Sequence, residues 1–91
     1  MKAPVAVPKH FALLLRSLPE SGMGYWVVNV RTQKKEVFKR VVIDSGFIVS
    51  ADRSPEIPFD PEEISSFEVT HDRSAVVHPE ANSFRSEVRQ K

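Results

Sequence analysis

Three histidines, a serine beside an acid and a run of carboxylates are the residues of this 91-residue chain that could do chemistry. His71 and Asp72, with His78 further along and His10 near the start, raise the question of a metal site. Ligands borne on one helix or tight loop recur at short fixed spacings, as in His-Glu-x-x-His, so that their donor atoms converge. Five residues separate Asp72 from His78, which fits no such pattern. Histidines flanking a strand end account for the arrangement. Cysteine is absent, which removes disulfides and thiolate metal sites altogether.

Ser45 stands in Asp44-Ser45-Gly46. A serine nucleophile needs an elbow of the Gly-x-Ser-x-Gly kind and a base held by a third group. The elbow is missing, and the base would have to be His71 or His78 with nothing evident to orient it. Asp-Ser-Gly between two apolar runs reads as a turn. Glu62 and Glu63 are paired carboxylates, but neighbours on a helical turn point in different directions and make no acid–base couple. They read better with Asp60 and Pro61 as the start of a helical turn. Asp60 can accept from a free N–H, proline suits the first position, and the glutamates favour the positive end. Gly22 and Gly24 are followed by no Lys-Ser/Thr, so a phosphate loop is not indicated. The expectation is a chain that is not an enzyme, with no catalytic residues, no metal and no cofactor.

Charge is where the pattern is uneven. The net charge is only +1, yet residues 31–40 carry Arg31, Lys34, Lys35, Lys39 and Arg40 against Glu36. Residues 52–72 carry seven carboxylates against Arg53. A basic hairpin with Tyr25 on its outer face could contact phosphates and stack a base. Tyr25, Arg31, Lys34, Lys35, Lys39 and Arg40 are therefore the candidate ligand or nucleic-acid contacts. Two other readings compete: lysines at a hairpin tip that discourage edge aggregation, and pairing of the basic hairpin with the acidic 56–63 segment.

Which elements would position these side chains? Phe11, Leu14, Leu15 and Leu18 fall on one face of a helix spanning residues 8–18, opened by Pro8 and closed by Pro19. Residues 25–32 alternate as a strand, with Trp26, Val28 and Val30 turned to the core and Tyr25, Val27, Asn29 and Arg31 to the other face. Residues 36–44 and 47–51 continue the strand character around the Asp44-Ser45-Gly46 turn. Residues 56–59 suggest a fourth strand, with Pro58 confining it to an edge or a bulge. A helical turn at Asp60-Pro61-Glu62-Glu63-Ile64 precedes a last strand over residues 66–71.

This order predicts an α+β domain: an N-terminal helix packed on a small, strongly curved antiparallel meander of four to five strands, with one helical turn before the last. In element order alone it resembles small SH3-like and Sm-like barrels, which implies a closed barrel. An open sheet with the helix on one face satisfies the same pattern. Residues 1–7 read as a flexible arm, 8–72 as the domain, and 73–91 as a mobile or partner-ordered tail in which Phe84 and Val88 could share a short helix.

The strands have more apolar residues than one covered face can use, with Tyr25, Val27, Phe38 and Val42 beside the inward set. A surplus of this kind points to a self-associating or protein-binding interaction module, with nucleic-acid binding by the basic hairpin as the alternative. The apolar stretch at the N-terminus is broken by Pro4, Pro8, Lys9 and His10, too soon for a signal or membrane segment, so a cytoplasmic protein is expected.

Overall fold

The computed structural model describes residues 1–72 and Ala75. In chain order these form β1 (Val5–Ala6), α1 (Lys9–Arg16), β2 (Tyr25–Thr32), β3 (Val37–Asp44), β4 (Phe47–Ala51), a 3₁₀ turn (Pro61–Glu63) and β5 (Ile64–Thr70). The strands make one five-stranded sheet in the order β1-β4-β3-β2-β5, every pair antiparallel. The fold class is α+β, as the patterning predicts, built on a β2-β3-β4 meander. The closed barrel implied by element order is not formed. β1 and β5 remain at opposite edges, and the sheet is open.

Turn chemistry explains the meander. Ser45 and Gly46 both take positive φ, 55° and 84°, which gives a two-residue turn whose twist suits the flanking strands. Between β2 and β3 no glycine is available, and Lys35 adopts φ 68° instead. Its N–H donates to the Thr32 carbonyl at 2.9 Å, while the Thr32 N–H donates to the Glu36 carbonyl at 2.9 Å. The expected helical turn forms as a 3₁₀ turn: the Glu62 N–H donates to Asp60 Oδ1 at 2.9 Å, and Pro61 occupies the first position.

The N-terminal arm departs from expectation. Residues 1–7 are extended, but they are paired. Val5 and Ala6 align with Ile48 and Phe47, the Ala3 N–H donates to the Pro55 carbonyl at 2.7 Å, and the Ile57 N–H to the Met1 carbonyl at 2.6 Å. Val7 is buried. Prolines that break a central strand are tolerated on an edge, where no neighbour needs their N–H, and so Pro4 and Pro8 conceal this strand in the sequence. The same pairing corrects the fourth strand. Residues 56–59 contribute only an isolated bridge, Lys2 to Glu56, and the fifth strand comes from the arm.

One main core lies between α1 and the sheet, with Leu15, Val28, Val30, Val41, Ile43, Ile48, Ile57, Phe59 and Ile64 buried in it. Trp26, expected on the inward face, packs against it and donates from Nε1 to the Leu18 carbonyl at 3.2 Å. The helix is rotated from the predicted face. Phe11, Ala12, Leu15 and Leu18 dock, whereas Leu14 is exposed. A small cluster occupies the opposite face of the sheet: Val27, Val42 and Ala75 are buried, with Tyr25 against them. Part of the surplus apolar surface is thus covered by the chain itself.

Buried Ser21 ties the edge strand in place. Its Oγ accepts from the Val27 N–H at 2.8 Å and donates to the Thr70 carbonyl, joining β2 to β5 through a side chain.

Candidate functional site

The β2–β3 hairpin carries the basic residues singled out in the sequence, but folding divides them. Between the pairs Val28–Val41 and Val30–Phe38 the register slips, setting Lys39 and Arg40 opposite the single residue Asn29. This is a β-bulge, and Arg40 within it has a positive φ of 56°. The bulge sends the two cations to different places.

Arg40 turns towards β4. Its Nε donates to Asp52 Oδ1 at 2.6 Å, and the Asp52 N–H donates to the Arg40 carbonyl at 3.0 Å. That hydrogen bond, and then the Asp52 charge, hold the guanidinium above its ordinary value. Both side chains keep much of their solvent exposure, so the pair fixes position more than it stabilises. Lys34, in the hairpin turn, lies 3.7 Å from Glu63. The basic hairpin and the acidic segment do meet within the chain.

Arg31 and Lys39 remain. Among the described residues neither has an ion pair. Both line a shallow groove of about 310 Å³ across β5, β2 and β3, together with Asn29, Val37, Ser66 and Glu68. Cross-strand register explains the grouping, since Asn29 stands opposite Glu68 and Arg31 opposite Ser66. The groove offers two cations, an amide and a hydroxyl at one end of its chemistry and a carboxylate at the other. Lys35 is exposed at the turn outside the groove.

Tyr25 does not join them. It begins β2, paired with Asp44, while Arg31 lies six residues further along the same strand. At about 3.3 Å per residue that is roughly 20 Å. Its ring rests over Gly22, where an added Cβ would lie 2.2 Å from the ring, and packs on the Val27–Val42 cluster. A stacking platform beside the basic groove is therefore not assembled from Tyr25.

The sequence's chemical candidates stay apart as well. Ser45 sits in the exposed β3–β4 turn with its Oγ donating to its neighbour Asp44 at 2.9 Å. His71 follows β5, and β2 lies between that strand and β3. No cluster of three or more His, Asp or Glu positioned to hold a metal occurs among the described residues. His78, and the Phe84–Val88 pair of the tail, fall outside them. No helix of the described residues is long and apolar enough to cross a membrane.

What the sequence reading missed is Glu68 as a groove residue and Asp52 as the partner of Arg40. Glu68 alternates with Phe67 and Val69, so its face was legible; its nearness to Arg31 depends on β5 returning beside β2, which alternation does not encode. Set against family models, curated proteins and solved structures, the chain matches none.

Proposed function

We propose that this chain is a small non-enzymatic interaction module that works by binding a protein chain, its own copy first among them. One observation carries the reading: large apolar side chains stay exposed on both layers, Leu13 at 55% and Leu14 at 50% on the helix, Phe47 at 45% and Val49 at 39% on β4. A small domain gains little stability from such surface when alone, and a surplus of exposed apolar side chains is available for contact with another chain. The separated catalytic candidates and the self-paired cations Lys34 and Arg40 are in keeping with it. Sedimentation of the full chain, with affinity capture in parallel, tests the proposal. It predicts either a species of at least twice the chain mass at micromolar concentration or a captured protein partner that Leu14→Asp and Phe47→Asp release. A strict monomer that captures nothing contradicts it.

A second reading, nucleic-acid binding, draws support from Arg31 and Lys39 sharing one groove, with no ion pair to either among the described residues. It predicts retention of single-stranded RNA or DNA that weakens steeply with salt. Charge reversal at Arg31 and Lys39 abolishes that retention if the groove is the site. Unchanged binding rejects it.

A further inference from the structure

We propose that the outer edge of β5 pairs antiparallel with β5 of a second copy, about a twofold axis at Phe67. This rests on the self-associating reading above and places one self-contact at an edge separate from the exposed apolar side chains of α1 and β4, so Leu14→Asp and Phe47→Asp leave it intact.

The two edges of the sheet are unlike. β1 contributes only Val5 and Ala6, between Pro4 and Pro8 and near Lys2 and Lys9, the proline-and-lysine protection expected of an edge kept from pairing. β5 is seven residues long, Ile64–Thr70, and contains neither proline nor lysine. Its inner side is bonded to β2, and among the described residues no strand lies on its outer side.

The sequence of β5 suits its own reversal. Phe67 is the midpoint of Ile64–Thr70. Pairing Phe67 with the second copy's Phe67 sets Ser66 against Glu68, Ser65 against Val69 and Ile64 against Thr70. The one charge of the strand then faces a hydroxyl. Moving the axis by one residue to Glu68 would oppose two carboxylates directly, which cross-strand pairing disfavours. The bulge at Ser65, where Arg31–Ser66 gives way to Thr32–Ile64, leaves Ser66, Phe67 and Glu68 as the regular central rungs.

Charge completes the match. Within one copy Arg31 stands across from Ser66, on the groove face that also holds Glu68. In the pair the second copy's Glu68 stands on the far side of that same Ser66, two strand spacings from Arg31, or about 9.6 Å. Over a side chain as short as serine, an extended arginine and glutamate can meet. Arg31, without an ion pair among the described residues, then has a second carboxylate within reach beside the diagonal Glu68 of its own copy, and symmetry repeats the arrangement. On the other face, half-buried Phe67, already edge-on to Phe11 at 5.4 Å, gains its own copy as an aromatic cross-strand neighbour.

The test is a charge swap read by sedimentation equilibrium on the full chain. Glu68→Arg and Arg31→Glu each weaken dimerisation about tenfold, and the double variant restores it, since the partners exchange signs. Both side chains are exposed, so folding is unaffected, and recovery in the double variant confirms this. A dimer indifferent to both single changes, or not recovered by the double one, overturns the β5 pairing while leaving self-association standing. A wild-type chain that is monomeric at every concentration overturns the pairing and self-association together.

Discussion

Ser21 shows how one buried hydroxyl reinforces the end of an edge strand that the β2–β5 ladder already holds. Its Oγ accepts from the Val27 N–H and donates to the Thr70 carbonyl, beside the bond from Thr70 Oγ1 to the Val27 carbonyl at 3.2 Å. Ser21→Ala would leave a buried donor and acceptor unpaired, at about 2 kcal/mol. Urea unfolding should show that loss, and amides of β5 should exchange faster than those of β3. Lys35 makes the opposite prediction. At φ 68° it holds a left-handed conformation that costs a non-glycine residue on the order of 1 kcal/mol. Lys35→Gly should keep the hydrogen bond to Thr32 and raise stability by roughly 0.5–1 kcal/mol in the same measurement. A nearly unchanged midpoint would show that the added freedom of the unfolded chain cancels the relief. At this scale the sequence was partly legible. Asp60 and Gly46 act as their types and neighbours suggest. Lys35, Asp52 and Arg53 take positive φ at turns, and Arg40 at the bulge of β3, where no glycine announces it.

Among the elements, α1 and β1 mark where patterning succeeds and where it stops. The periodicity of Phe11, Leu14, Leu15 and Leu18 locates the helix, but three adjacent leucines leave its rotation open, and the sheet selects Ala12 over Leu14. Leu15→Ala should therefore cost about 2–5 kcal/mol, while Leu14→Ala should cost well under half of that, both by chemical denaturation. Equal losses would place Leu14 in the core and reject the observed rotation. β2 to β4 were readable within a residue of their ends, since alternation and turn residues agree there. β1 was not. A two-residue strand between prolines carries no period, and its pairing with β4 and the hydrogen bond to Pro55 reveal it. Its pairing predicts that removal of residues 1–6 exposes Ile48 and Ile57, lowering the thermal midpoint. A truncated chain as stable as the full one would show the arm to be a passive cover.

For the molecule, open-sheet topology places Arg31, Lys39 and Glu68 in one groove and sends Tyr25 to the far end of β2. None of this follows from the composition of any one segment, because the groove depends on β5 lying beside β2 rather than after β4. The charge segregation along the chain was legible. Its partial cancellation through Lys34–Glu63 was one of three alternatives that only the fold distinguishes. The exposed leucines of α1, the apolar side chains of β4 and the β5 edge, unpaired among the described residues, are the observations behind the proposal that this domain binds another chain, its own copy first. Sedimentation equilibrium of the full chain across micromolar concentrations tests that claim most directly. The account predicts a concentration-dependent rise from the 10.3 kDa chain mass towards twice that value. A mass that stays at one chain throughout, with no protein captured in parallel, would contradict it.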